Sequence, residues 1–180
     1  MSAALIICPL RSLTIRNKSI QEYLVNPNIK QPSLKILNSF DNIHYYYILD
    51  LDFQHQTTNA KLASGSKDER IKVTDVKYGK ILNHYKKEDD GMVMNVKFNP
   101  KMTNVLASRH RSGKVMLFDI RLGNDVGGYV FEVGPEPDGY NYGDQEGYNY
   151  GDLKFSNCGF LLAAGDEKGN IKMIDLRYQI

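Results

Sequence analysis

Residues 62–76 read LASGSKDERIKVTDV, and this stretch decides the fold. Leu62, Ala63 and Ser64 open a strand. Gly65, Ser66, Lys67 and Asp68 supply turn chemistry, and Ile71, Val73 and Asp75 alternate along a second strand. The phrase returns as LASRHRSGKVMLFDI at 106–120 and as LAAGDEKGNIKMIDL at 162–176. In each copy thirteen positions separate the strand Leu from the closing Asp: 62 to 75, 106 to 119, 162 to 175. A hairpin that recurs at constant internal spacing marks a repeat architecture, and that signal outranks others in reading a fold.

The flanks carry the repeat outward. Ahead of the first hairpin Leu49, Leu51 and Phe53 alternate, which puts them on one face of a strand. Asp50 and Asp52 then face the other way, toward solvent or a neighbouring unit. Met94, Val96 and Phe98 repeat the pattern before the second hairpin, and Leu153 and Phe155 before the third. After the hairpins, Tyr78-Gly79 turns into a fourth strand at 80–84, and a turn at 122–125 leads to an outer strand at 128–133. Residues 5–8, 13–15, 19–25 and 33–37 read as strands of a less regular first copy. The expected division is a degenerate N-terminal unit at 1–42, units at 43–87 and 88–133, and an incomplete unit at 153–180. The closing Asp residues lie 44 apart (119 minus 75), then 56 apart (175 minus 119). The excess falls in 134–152, GPEPDGYNYGDQEGYNYGD, which doubles GYNYGD and holds five carboxylates without Lys or Arg. Its Pro and Gly content predicts an irregular loop.

Composition bounds the function. The 180 residues are 42% hydrophobic and 24% charged, which is ordinary for one globular domain. A formal charge of +2 does not by itself argue for nucleic acid or an anionic membrane. Cys8 and Cys158 have no metal-ligand spacing and read as reduced thiols of a nuclear or cytoplasmic protein, with one disulfide left open. No apolar run approaches the length of a membrane helix. The short run at the N-terminus has no positive region before it and reads as a buried strand, not a signal peptide.

The first strand ending in Phe, the Leu-Ala strand, the polar turn and the closing Asp, repeated about every 44 residues over 43–180, together resemble the WD-repeat family. The resemblance implies an all-β fold of WD40-like β-propeller blades, three clear and one degenerate, in an incomplete ring. It also implies that Asp68 and Ser64 belong to the buried polar network of such a blade. The chain departs from the family in having no Trp, and Thr74, Phe118 and Ile174 precede the closing Asp instead. The family's Gly-His pair ahead of the first strand is missing, and Arg111 interrupts the network of the third unit. Three or four blades make about half of the usual ring and would leave strand edges and a blade face open, so the resemblance implies either that another polypeptide or a second copy completes the ring or that the sequence is a fragment of a longer protein.

Catalytic chemistry is not expected. His44, His55, His84 and His110 are scattered and read as surface or loop histidines, none at metal-ligand spacing. Cys158 has no base near it in sequence. Glu88-Asp89-Asp90-Gly91 lacks the alternation of a calcium loop, and no phosphate loop or nucleophile elbow is present. No cofactor and no metal are expected. Candidate partner-binding residues are the basic turn Arg109, His110 and Arg111, and the tyrosines Tyr140, Tyr142, Tyr148 and Tyr150 of the acidic insertion. The resemblance puts turn and insertion on one face. Asp119-Ile120-Arg121 and Asp175-Leu176-Arg177 resemble the Asp-x-Arg box with which some WD-repeat substrate receptors dock on ubiquitin ligases, which adds Arg121 and Arg177.

The expected function is a non-catalytic scaffold for protein–protein interactions in a nuclear or cytoplasmic complex, such as a ribosome-biogenesis assembly or a ubiquitin ligase. Its expected partners are other proteins, including a chain that completes the propeller, and no membrane. The alternative is RNA contact in a ribonucleoprotein through the basic turns.

Overall fold

The structure is a computed structural model that describes residues 6–8, 11–16, 19–24, 35–55, 60–86, 91–123, 129–132, 151–166 and 169–178. Side-chain surroundings are described from residue 38 onward within these segments, except at 129–132. The described chain is all-β apart from a 3-10 turn at Leu176–Tyr178. Four antiparallel sheets follow one another in sequence. The first holds β1 (Ile6–Cys8), β2 (Arg11–Arg16), β3 (Ser19–Leu24) and β4 (Lys35–Phe40). The second holds β5 (Ile48–Phe53), β6 (Lys61–Ser66), β7 (Arg70–Asp75) and β8 (Lys80–Lys86). The third holds β9 (Val93–Phe98), β10 (Val105–His110), β11 (Lys114–Asp119) and β12 (Tyr129–Glu132). The fourth has three described strands, β13 (Leu153–Phe155), β14 (Leu161–Gly165) and β15 (Ile171–Asp175). Each is a plain meander and none closes on itself. β1 pairs with β2, not with the last sheet.

The hairpin registers repeat. Leu62↔Thr74, Leu106↔Phe118 and Leu162↔Ile174 are equivalent pairs. The closing Asp explains its own constancy: Asp75, Asp119 and Asp175 each accept, on Oδ1, the N–H two residues on, at 2.9, 2.9 and 3.0 Å. This Asx geometry turns the chain out of the hairpin. The hairpin turn itself lies later than Gly65 to Asp68, because β6 continues through Ser66. The residue six before each closing Asp takes a left-handed conformation, Glu69 at φ 66°, Gly113 at 83° and Gly169 at 84°. Two copies use glycine there; Glu69 bears the side-chain strain.

The first strands correct the expected alternation. Ile48 pairs with Ser66 but Asp50 with Gly65, which leaves Leu49 as an inserted residue. Met94 is inserted in the same way between Val93↔His110 and Asn95↔Arg109. A β-bulge reverses which face the preceding residue occupies. Ile48 and Val93 are therefore buried, while Leu49 and Met94 are half-exposed. Phe98 and Phe155 are buried as expected, and so are Leu62, Leu106 and Leu162; Phe53 is only half-buried.

Sheets pack face to face. Ala63, Ile71, Val73 and Tyr85 of the second sheet meet Val93, Val96, Phe98, Leu106, Met116 and Phe118 of the third, with the Tyr85 and Phe118 rings 4.7 Å apart. The other face of the third sheet, through Ala107, Val115 and Leu117, meets Leu153, Phe155, Leu162 and Ala164 of the fourth. Phe40 and Ile43 cover Ile48, Leu51 and Leu62 on the far side of the second. Polar latches reinforce the apolar stacking. Gln54, just after Phe53, donates from Nε2 to the Thr103 carbonyl at 2.7 Å; Asn99, just after Phe98, donates from Nδ2 to the Gly159 carbonyl at 2.7 Å. Each acceptor lies three residues before the next sheet's strand Leu. Asp50 and Asp52, both half-buried, face the neighbouring sheet, one of the two placements expected for them. They accept the edge N–H groups of Val96 (3.0 Å) and Phe98 (2.6 Å), and so satisfy the open backbone edge of β9.

Candidate partner-binding surface

The best-defined surface of the described chain is built on a buried histidine. His44 lies ahead of β5, 24 residues from Asp68 and 20 from Ser64 in sequence. Its Nδ1 donates to the Asp68 carboxylate at 2.9 Å, and its Nε2 lies 2.7 Å from Ser64 Oγ. Asp68 also accepts the N–H groups of Tyr45 (3.0 Å) and Arg70 (3.1 Å). Burial alone raises the Asp68 carboxyl, but the His44 hydrogen bond and charge, with the two N–H donors, hold it below the usual carboxylate range. His44 does lie in a loop, one of the two placements expected for it, but it is buried and not on the surface. Nothing local marks it, because its partners arrive only with the hairpin turn.

Serine, histidine and aspartate here have the connectivity of a hydrolase triad. Ser64 and the His44 side chain have no exposed surface, so no substrate can approach the hydroxyl. The triplet instead clamps the entry of the second sheet to its own hairpin turn.

That clamp fixes the backbone of Tyr45, Tyr46 and Tyr47. Lys67 N–H donates to the Tyr47 carbonyl at 2.9 Å, and Ser66 Oγ donates to the same oxygen at 2.9 Å. The three side chains project outward, 71, 57 and 61% exposed. Lys72 Nζ donates to the Ile43 carbonyl at 2.6 Å and lies 6.0 Å from the Tyr45 ring centre. Tyrosines on a pinned backbone offer large amphipathic contact area with little ordering entropy left to lose. Sequence reasoning missed this site. The run of three tyrosines was the visible signal, but exposure was not.

The predicted site residues fare differently. Arg109 is 1% and His110 3% exposed, so neither forms a surface basic turn. The strand extends through His110. Arg109 points toward the fourth sheet, where a Cβ built on Gly151 would stand 2.9 Å from its Nη2, and its polar group is engaged. Ser108 Oγ and His110 Nε2 lie 2.9 Å apart, a local pairing within the third sheet. Ser112, not Arg111, occupies the position of Asp68, seven before the closing Asp. Arg111 is half-buried and its N–H donates to the Met92 carbonyl at 2.8 Å. Arg121 and Arg177 are exposed, each forked onto its own Asp119 or Asp175. The fork holds both carboxyls below their usual range. Tyr140, Tyr142, Tyr148 and Tyr150 lie outside the described residues.

Cys158 is a free, exposed thiol beside Ser156 Oγ, whose hydrogen bond lowers its pKa from the ordinary value. Among the described residues no group of three or more His, Cys, Asp or Glu is placed to hold a metal ion, and no helix is long and apolar enough to cross a membrane. Compared with the profiles of known protein families and with curated proteins, the chain matches none.

Proposed function

We propose that this chain is a non-catalytic protein-interaction scaffold made of WD-repeat-like propeller blades, and that Tyr45, Tyr46 and Tyr47 form its principal contact surface. The observation that carries the reading is the pinned backbone beneath three exposed tyrosines. Tyrosine is enriched in protein interfaces, where its ring buries area and its hydroxyl keeps a hydrogen bond. Four consecutive meander sheets, three of them with a shared hairpin register, support the blade assignment. So does the His44–Ser64–Asp68 network, which ties the loop before β5 to the hairpin turn and includes the Ser64 and Asp68 that the resemblance assigns to a blade's buried polar network. The buried positions of Arg109 and His110 weigh against RNA contact through that turn.

The test replaces Tyr45, Tyr46 and Tyr47 together with Ser in the full chain and compares co-purifying proteins by mass spectrometry, at low and high salt and with nuclease. The variant should melt close to wild type, within about 0.5 kcal/mol, since the substitutions are on the surface. It should lose a defined set of proteins that resists salt and nuclease. An unchanged set refutes the surface; a set lost to nuclease or steeply to salt points to nucleic acid instead.

A further inference from the structure

The hairpin turn that pins the three tyrosines is neutral in sequence and basic in the fold. Lys67-Asp68-Glu69-Arg70 holds two charges of each sign. Asp68 is withdrawn: its side chain is 3% exposed, and its oxygens are taken by His44 and by the N–H groups of Tyr45 and Arg70. Glu69 faces Lys86 of β8 at 3.7 Å. Lys67 and Arg70 are half-exposed, and neither meets a carboxylate among the described residues.

Both cations belong to the frame that holds the tyrosines. The Lys67 N–H donates to the Tyr47 carbonyl, and the Arg70 N–H shares the Asp68 carboxylate with that of Tyr45. Lys72 adds a third charge: its Nζ donates to the Ile43 carbonyl at 2.6 Å and lies 6.0 Å from the Tyr45 ring centre. Asp41, exposed three residues before His44, accepts the Ser39 hydroxyl at 3.2 Å and leaves the balance positive. The next sheet continues the pattern. Arg111 and Lys114 stand at the same two turn positions, 44 residues on (111 minus 67, 114 minus 70). The Arg111 N–H donates to the Met92 carbonyl as that of Lys67 does to Tyr47.

We infer that the tyrosine surface takes an acidic segment of a partner protein, with Lys67, Arg70 and Lys72 selecting its carboxylates. This rests on the reading of Tyr45, Tyr46 and Tyr47 as the contact surface. The rings supply most of the affinity; the cations supply the choice of partner and the speed of encounter. Hydroxyls on successive residues of a bend suit carboxylates spread along a peptide better than a run of stacked bases.

The probes are two labelled, end-blocked peptides, DEDFEDE and its uncharged counterpart NQNFQNQ. Each is titrated into the full chain by fluorescence anisotropy at about 0.15 M salt. DEDFEDE should bind at least about fivefold more tightly, the worth of two or three exposed charge pairs. Lys67→Gln with Arg70→Gln should make the two peptides bind alike. Lys67→Arg with Arg70→Lys should keep the preference, which separates charge from structure. The Tyr45, Tyr46 and Tyr47 triple variant should bind neither peptide. Failure of DEDFEDE to bind, equal binding of the two peptides, or a preference that survives the Gln variant overturns the inference and leaves the tyrosine surface standing. Undiminished binding by the tyrosine variant overturns that surface, and the inference with it. A labelled oligouridine that displaces DEDFEDE and binds more tightly makes nucleic acid the occupant and overturns the inference too.

Discussion

Asp52 is a residue whose titration should shape stability between about pH 4 and about pH 6. Its carboxylate is buried between the second and third sheets and accepts the Phe98 N–H at 2.6 Å. Burial pushes its pKa up from 3.8 to about 6, with Asp50 adding to the rise; the Phe98 N–H and the charges of Lys97 and His55 oppose it. A raised carboxyl pKa means that the folded chain binds the proton more tightly than the unfolded chain. Stability therefore falls as pH rises from about 4 to about 6, and the full penalty persists above that window. Two units correspond to about 3 kcal/mol. Asp52→Asn keeps a carbonyl oxygen for the Phe98 N–H and cannot ionise. Urea unfolding of wild type and variant across this range should show their stability difference shifting by about 3 kcal/mol in favour of Asn as pH rises. The difference, not either curve alone, isolates Asp52 from the other titrating carboxyls. A pH-independent difference, or one that moves in favour of Asp, would refute the reasoning.

Glu69→Gly should stabilise the chain by roughly 1 kcal/mol in thermal or chemical unfolding, since it relieves the left-handed strain that Gly113 and Gly169 avoid. His44→Ala should cost about 2–4 kcal/mol, because Ser64 and Asp68 lose their shared buried partner. It should also flatten the acid limb of the stability curve. The depressed Asp68 pKa gives stability that is present above the ordinary carboxylate pKa and lost as pH falls through the folded value. Gly65→Ala, which drives a methyl onto Val93, should cost about 1–3 kcal/mol, and Gly165→Ala should be close to neutral; equal effects would mean that the two sheet faces are equally covered. Phe98→Ala should lower stability by about 3–5 kcal/mol and the half-buried Phe53→Ala by clearly less, as read from denaturation midpoints.

The sequence by itself determined the strands, the hairpins and the order of the sheets. Alternation, turn residues and the constant Leu-to-Asp interval are local properties, and the Asx bond of each closing Asp forms within three residues. Even the weak N-terminal copy was legible as strands, although β4 runs from Lys35 to Phe40, later than the expected 33–37. What lay beyond local pattern was decided by packing. The bulges at Leu49 and Met94 exist only against a partner strand, and they chose which apolar residues face the core. Arg109 looked like a turn residue because its neighbours are basic, yet sheet stacking covers it. His44 had no reason to be special until the hairpin turn brought Asp68 and Ser64 to its two nitrogens. Asp52 had no reason to titrate near 6 until the third sheet closed over it. The contact surface shows the same division: three tyrosines in a row are plain in the chain, but only the tertiary hydrogen bonds beneath them hold their backbone still and turn their rings to solvent.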